Sequence, residues 1–156
     1  MKTGLSYAPL LSALLGLNPD SALAIGCNHP LTEGIRARAA AVTPEGQRFC
    51  PGSLPTGTQY TSSHRVVQVR EGGMAVLHFL EDSADPGSGI VVRYLKQAGN
   101  VPMPRDLFER EAALLAAPLH PNIVRVLSYG GDSNLGLQFQ LLPWLPGRTL
   151  TQWVED

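Results

Sequence analysis

The sequence predicts an α+β fold in which a five-stranded antiparallel sheet carries one helix between its third and fourth strands. From about residue 60 onward, short β-branched and apolar segments alternate with glycine-rich turns. The first three of these segments are joined by a glycine turn and a loop, an order typical of an antiparallel meander. A single apolar stripe with helical spacing comes next.

The first three predicted strands are Arg65–Val69, Val76–Leu80 and Ile90–Leu95, each rich in β-branched or apolar residues. A glycine turn lies in Arg70–Ala75, and the segment Glu81–Gly89 is a connection rich in Asp, Ser, Pro and Gly. Because the glycine turn joins two strands and does not open a helix, the sequence excludes the Rossmann and Walker types of phosphate-binding loop.

Gly72 and Gly73 in this turn leave two interpretations open. Glycine lets the backbone approach a phosphate closely and donate N–H groups to it. The same pair also forms a tight hairpin without any ligand. Both residues are therefore candidates for phosphate binding, and the turn by itself does not decide between the two interpretations.

The predicted helix extends from Asp106 to Ala117, with Asp106 as its N-cap and Pro118 as its stop. Glu111 lies near the edge of its apolar face. That face consists of Leu107, Phe108, Ala112, Leu115 and Ala116. The helix is therefore expected to pack one side against the sheet.

The remaining part of the chain is predicted to contain two strands and the start of a short helix. A turn at His120–Val124 leads into the strand Ile123–Leu127. A hairpin marked by Gly130, Gly131, Asp132 and Asn134 precedes the strand Leu137–Leu142. Pro143, Pro146 and Gly147 end that strand, and the short helix spans Thr149–Val154.

Composition limits the classes of function. The 156 residues include 12 basic and 13 acidic side chains, so charge gives no reason to expect a nucleic-acid partner or a membrane surface. Two cysteines exclude a disulfide-dense scaffold and indicate a reducing, cytoplasmic compartment. Charged residues make up only 16%, below the roughly 25% typical of soluble domains. This shortfall predicts a surface that another unit covers.

Residues 1–26 form an apolar leader whose role stays open. Lys2, the apolar stretch Leu5–Leu17 and the tripeptide Ala22-Leu23-Ala24 have the outline of a secretory signal. The stretch is shorter than the about 20 apolar residues that a membrane-spanning helix needs. Export is therefore the alternative to the cytoplasmic location. If the protein is exported, the alternative function is that of a small exported protein.

Residues 27–57 contain two incomplete cysteine knuckles and a linker. Cys27 and Cys50 each occupy a first knuckle position, but Pro30 and Ser53 stand where the second cysteines would be. His29 offers a third ligand, and no fourth is visible. A structural zinc site needs four ligands in tetrahedral geometry, so we expect no bound zinc.

Several motifs from residue 58 onward occur in one order. The segment Phe108–Ala112 precedes His120–Val124, and Glu111 lies 9 residues before His120 and 18 after Arg93. The glycine turn Glu71–Met74 and the segment Leu142–Leu150 complete the set. Residues 58–156 thereby resemble the amino-terminal lobe (N-lobe) of a bacterial Hanks-type serine/threonine protein kinase, with its glycine loop, regulatory helix, HPNIV turn and hinge. Phe49–Ser53 resembles a decayed copy of the FCxxCG segment that precedes some bacterial kinase domains.

The resemblance implies an ATP site. Gly72 and Gly73 would lie over the phosphates, and Arg93 stands at the lysine position of the V-A-I-K pattern, paired with the helix carboxylate Glu111. An apolar adenine pocket would consist of Leu77, Val91, Leu142 and Leu145, with hinge hydrogen bonds from the Pro143 carbonyl and the Leu145 N–H.

Two departures from the family pattern predict that ATP affinity is weak or absent. Arg93 replaces a lysine with a planar guanidinium that is not interchangeable with an ammonium. Val91 replaces an alanine and narrows the pocket. A structural ion pair and ordinary core packing are the alternatives for the same residues.

The chain contains no H-R-D-x-x-x-x-N, D-F-G or A-P-E motif, so it lacks the carboxylates that accept the substrate proton and hold magnesium. We therefore expect no catalytic residues and no phosphotransfer from this chain alone. The resemblance implies either the ATP-binding lobe of a truncated or split kinase, or a non-catalytic, pseudokinase-like module. The expected partner is a kinase C-lobe or another protein.

Overall fold

The computed structural model describes residues 29–45, 47–96, 105–116 and 120–155. Five strands form one antiparallel sheet in the order β1-β2-β3-β5-β4. They are β1 (His64–Glu71), β2 (Ala75–Asp82), β3 (Gly89–Leu95), β4 (Ser128–Asp132) and β5 (Leu137–Pro143). The predicted α+β fold with a five-stranded antiparallel sheet is therefore confirmed. The leader 1–26, Cys27 and the proposed N-cap side chain of Asp106 lie outside the described part of the chain.

Three α-helices accompany the sheet in the described residues: α1 (Pro30–Val42), α2 (Arg105–Ala116) and α3 (Leu150–Val154). A 3-10 turn at Pro51–Ser53 follows α1. Helices α2 and α3 lie within one residue of their predicted limits. Thr149 caps α3, because its hydroxyl accepts from the Gln152 N–H at 3.3 Å while the Gln152 side chain accepts from the Thr149 N–H at 2.9 Å.

Helix α1 lies in the segment 27–57, to which the sequence analysis assigned no helix. Pro30 is in the first turn, where a missing N–H costs nothing, and the His29 Nδ1 accepts a hydrogen bond from the Leu31 N–H at 3.2 Å. Leu31, Ile35 and Ala39 recur every four residues and are fully buried. This narrow stripe directs one face of α1 onto the sheet.

The hydrophobic core lies between one face of the sheet and the segment that precedes β1. The sheet contributes Val66, Val76, Leu80, Val92, Tyr94, Leu137, Phe139 and Leu141, while the preceding segment contributes Leu31, Ile35, Ala39, Phe49, Leu54 and Tyr60. A Cβ on Gly34 would clash with the Tyr60 carbonyl oxygen, so α1 approaches the backbone at Tyr60 closely there. Residues 30–60 are thus part of the same core as the strands.

A chain of hydrogen bonds crosses this core. The Tyr94 hydroxyl donates to the Tyr60 hydroxyl at 2.6 Å, and the Tyr60 hydroxyl lies 2.8 Å from His78 Nδ1. His78 Nε2 lies 3.0 Å from the Pro51 carbonyl oxygen. Because a carbonyl only accepts, Nε2 carries the proton and Nδ1 accepts from Tyr60. Burial lowers the pKa of His78 to about 4 and raises the pKa of both tyrosines, so the three groups are neutral.

The fourth strand differs from the prediction, which placed it at Ile123–Leu127 and was wrong. The structure has β4 at Ser128–Asp132, where the hairpin turn was expected, and the turn itself follows at Ser133–Gly136. Gly130 lies in the strand opposite Phe139, and a Cβ at that position would lie 2.8 Å from the Phe139 ring, so the strand needs glycine there. The apolar run before β4 is irregular, although the Val126 N–H donates to the Leu115 carbonyl at 2.9 Å.

No helix within the described residues is long and apolar enough to cross a membrane.

Candidate functional site

The face of the sheet opposite the core carries the candidate residues. Leu77 on β2 pairs with Arg93 on β3, which pairs with Gln140 on β5. In the next row Val91 pairs with Leu142. Because successive side chains of a strand alternate between faces, these five side chains share one face, while His78, Val92 and Leu141 point into the core. The sequence-predicted residues of β2, β3 and β5 are therefore brought together.

Arg93 is the centre of this face. Its Nη1 lies 2.6 Å from Glu111 Oε1, so the pair predicted across 18 residues forms between β3 and α2. The same Nη1 donates to Gln140 Oε1 at 2.9 Å. The guanidinium carbon lies 5.9 Å from the centre of the Phe108 ring, within the range of a cation–π contact. Two helix residues, Phe108 and Glu111, thus position one cation.

The ion pair between Arg93 and Glu111 is partly open to solvent, since the two side chains are 21% and 39% exposed. A fully buried pair would have a large desolvation penalty to overcome. Here water still reaches both side chains, that of Glu111 more than that of Arg93. A cation held by hydrogen bonds at a partly open surface is suited to bind an anionic group.

The glycine turn is anchored at its base. The Gly72 N–H donates to the Ala75 carbonyl at 2.8 Å, which closes the hairpin between β1 and β2. The Lys96 N–H donates to the Met74 carbonyl at 2.9 Å, and Lys96 Nζ lies 2.5 Å from Glu71 Oε1. These contacts tie the turn to the end of β3, on the strand that carries Arg93.

Nothing in the fold itself requires glycine at positions 72 and 73. Neither residue has a φ in the left-handed region. A Cβ on Gly73 would meet no atom within 4 Å, and one on Gly72 would meet only the Ala75 carbonyl oxygen at 3.6 Å. Both glycines therefore leave open space above the hairpin that the protein does not fill.

The apolar row beside Arg93 is only partly enclosed. Val91 is buried, whereas Leu77, Leu142 and Pro143 are half-buried. Leu145 is 58% exposed, so its side chain does not join the other three apolar residues of the predicted pocket in a buried cluster.

The segment after β5 is held by a residue that the sequence analysis did not single out. The Trp144 ring packs edge-on against Phe79, with the ring centres 5.3 Å apart. The backbone N–H of Trp144 donates to the Gly89 carbonyl at 2.8 Å. A Cβ on Gly89 would lie 2.7 Å from the Trp144 ring, so glycine is required there. Trp144 thus fixes the chain between Pro143 and Leu145 to the first residue of β3.

Gln140 was also missed. It is fully buried, and both ends of its amide are engaged: Oε1 accepts from Arg93, and Nε2 donates to the Phe108 carbonyl at 3.4 Å. The sequence signal was a glutamine between apolar residues of the strand. Gln138, two residues earlier on the same strand, provides the same signal without a side-chain contact to Arg93.

The cysteine segment adopts a turn stabilised by its own residues. Cys50 is exposed and forms no disulfide, and the Ser53 hydroxyl donates to the Cys50 carbonyl at 2.7 Å. His29 caps α1 through Nδ1, and burial is the main reason that its pKa is lowered. Cys27 lies outside the described residues. Across the described ranges, no three His, Cys, Asp or Glu side chains come together as a metal-binding group.

No protein-family model matches the chain. The functional proposal therefore depends on the geometry around Arg93, Glu111 and the glycine turn.

Proposed function

We propose that residues 58–156 are the nucleotide-binding lobe of a protein related to bacterial serine/threonine protein kinases, and that this lobe binds ATP. The observation that carries the proposal is the 2.6 Å contact between Arg93 and Glu111. It connects β3, the strand after the glycine hairpin, to α2, the helix between β3 and β4. The sheet has the strand order β1-β2-β3-β5-β4. The N-lobe resemblance predicts an ion pair between these two elements.

Each part of the face has a chemical role in this proposal. Arg93 binds a phosphate oxygen, and Glu111 neutralises and orients the guanidinium. The glycine hairpin approaches the phosphates with its backbone N–H groups. The adenine ring contacts Leu77, Val91 and Leu142, and the Pro143 carbonyl and Leu145 N–H bond its polar edge. Valine at position 91 narrows the space for the ring, so we expect low affinity.

A purely structural ion pair is the simplest alternative, and the glycine turn argues against it. An ion pair between Arg93 and Glu111 would stabilise the packing of α2 without any ligand. It would not account for Gly72 and Gly73, whose conformations and surroundings tolerate a Cβ. Glycine in a strand hairpin costs backbone entropy on folding. Close approach of a ligand to the backbone explains why positions 72 and 73 are glycine despite this entropic cost.

Titration of the full chain with Mg-ATP by calorimetry tests the proposal. We expect saturable binding by the wild-type chain and loss of that binding in Arg93→Ala. Arg65→Ala is the matched control, because Arg65 is an exposed arginine on β1 whose ion-pair partner is the exposed Glu81. Equal binding by wild-type and Arg93→Ala proteins would refute the proposed site.

A non-catalytic module that binds a protein partner is the second candidate. The side chains of α3 favour it, because Leu150, Trp153 and Val154 are 77%, 68% and 74% exposed. Large exposed apolar side chains in close sequence mark surfaces that bind other proteins. The same titration separates the candidates: a wild-type chain that does not bind Mg-ATP leaves the interaction module as the better supported function.

A further inference from the structure

Gln140 lies on β5 and contacts both Arg93 of β3 and Phe108 of α2. Its Oε1 accepts from Arg93 Nη1 at 2.9 Å and its Nε2 donates to the Phe108 carbonyl at 3.4 Å. A guanidinium only donates and a carbonyl only accepts, so the amide has a single orientation that satisfies both partners. Since burying an amide without partners is costly, these two contacts account for a polar residue that is fully buried.

The two acceptors around Arg93 both accept from the same nitrogen of the guanidinium, Nη1. Nη1 carries two protons, and Glu111 Oε1 at 2.6 Å and Gln140 Oε1 at 2.9 Å accept them from two different elements. Together they fix the plane of the group, and its central carbon lies over the Phe108 ring, 5.9 Å from the ring centre. The protons on Nη2 and Nε are not used by either acceptor. A lysine ammonium, in contrast, rotates freely and needs no second acceptor to orient it.

We propose that Gln140 is a positioning residue that orients the Arg93 guanidinium for a phosphate group and fixes α2 at the same time. This inference rests on the proposed nucleotide site. Glu111 alone leaves the guanidinium free to turn about the ion pair, whereas the amide of Gln140 holds it in one plane. The same amide holds the Phe108 carbonyl, so a shift of α2 away from β5 breaks the contacts of Gln140 and Glu111 together.

A double-mutant cycle on the full chain tests the link between Gln140 and arginine. Gln140→Leu replaces the amide with an apolar side chain of similar size and removes both hydrogen bonds. We expect it to weaken Mg-ATP binding on the order of tenfold, the effect of one hydrogen bond to a charged group. In the Arg93→Lys background the same substitution should weaken binding by less than about twofold, because the ammonium does not need the amide. Gln138→Leu is the control and should leave affinity unchanged.

The guanidinium protons of Arg93 give a second readout that does not need a nucleotide. In NMR spectra, assigned by their loss in Arg93→Lys, we expect separate Nη signals in the wild-type chain because rotation is hindered. Gln140→Leu should merge them, and Gln138→Leu should not. Far-ultraviolet circular dichroism of each variant establishes that it is folded before either measurement.

The outcomes distinguish this inference from the proposed function. Equal losses of affinity in the arginine and lysine backgrounds would overturn the inference and leave the nucleotide site intact. A wild-type chain that binds no Mg-ATP would refute the proposed function. It would also refute the role of Gln140 in orienting Arg93 for a phosphate. Hindered rotation that persists in Gln140→Leu would overturn the positioning role whatever the nucleotide result.

Discussion

Arg93 Nη1 lies 2.6 Å from Glu111 Oε1, and this contact connects the middle strand of the sheet to helix α2. Glu111 lies one helical turn after Phe108, so both side chains face β3 from the same side of the helix. The helix therefore supplies a carboxylate and an aromatic ring to one arginine. The position of α2 and the orientation of the cation are linked through these two residues.

Removal of the carboxylate should affect ligand binding more than folding. We expect Glu111→Ala to lower Mg-ATP affinity at least tenfold, because the guanidinium loses the carboxylate that orients it. The free energy of unfolding should fall by less than about 1 kcal/mol, since partly exposed ion pairs contribute little to stability. Calorimetric titration and urea unfolding measure the two effects. Glu109→Ala, at an exposed position of the same helix, is the control. A large loss of stability without loss of affinity would mean that the pair is only structural.

The glycine turn allows a test in which stability and binding change in opposite directions. Gly73 has no left-handed φ, and a Cβ there would meet nothing within 4 Å. Gly73→Ala should therefore leave stability unchanged or raise it by about 0.4–1 kcal/mol, because the unfolded chain loses conformational freedom. Mg-ATP affinity should fall, since the methyl group occupies the space that the phosphates need.

Gly130→Ala is the matched substitution for this test, because its Cβ would lie 2.8 Å from the Phe139 ring. Overpacking of that kind typically costs about 1–3 kcal/mol, so this variant should lose stability. Unfolding in urea and calorimetry distinguish the two glycines. Unchanged affinity in a folded Gly73→Ala variant would contradict a phosphate-binding role for the turn.

Local sequence patterns predicted those elements whose buried residues are numerous and regular. Val76, Leu80, Val92 and Phe139 belong to segments in which most residues are β-branched or apolar, and these strands were found where they were expected. Strand β4 has no such pattern: Gly130 belongs to it because β5 provides the strand pairing, and glycine is needed there because the Phe139 ring fills the space of a Cβ. Contacts of that kind are tertiary and leave no trace in the local sequence.

Helix α1 and Gln140 were missed for related reasons. Only Leu31, Thr32, Ile35 and Ala39 of α1 are buried, and glycine and arginines interrupt the pattern between them. The spacing of Arg93 and Glu111 could be counted along the chain, whereas the role of Gln140 depends on the pairing of β3 with β5. The sequence therefore predicted the ion pair but not the residue that bonds to it from the neighbouring strand.

Helix α1 should contribute to the stability of the whole sheet. Ile35 is fully buried in the cluster that contains Tyr94 and Phe139. We expect Ile35→Ala to lower the free energy of unfolding by about 2–5 kcal/mol, because a buried aliphatic side chain is lost and a cavity remains. Urea unfolding followed by circular dichroism should show a single transition at lower denaturant. Ala37→Ser, on the exposed side of α1, is the control and should change stability by less than about 0.5 kcal/mol. Equal stabilities of the two variants would show that α1 is not part of the cooperative core.

The buried histidine of the core should make stability depend on pH. Burial lowers the pKa of His78 from 6.5 to about 4, so in the folded chain the ring stays neutral and accepts from Tyr60. Between these two values the unfolded chain binds a proton that the folded chain does not, and stability therefore falls as the pH is lowered. The loss attributable to His78 between about pH 7 and pH 4 is roughly 3 kcal/mol.

Carboxylates also titrate in this range, so the effect of His78 must be separated from theirs. Gln at position 78 offers an acceptor to Tyr60 and a donor to the Pro51 carbonyl without titrating. We expect the wild-type chain to lose roughly 3 kcal/mol more than His78→Gln between about pH 7 and pH 4, measured by urea unfolding at several pH values. Parallel pH profiles for the two proteins would mean that the ring is protonated in the folded state. The hydrogen bond from Tyr60 to Nδ1 would then have to be replaced, because a protonated ring donates from both nitrogens.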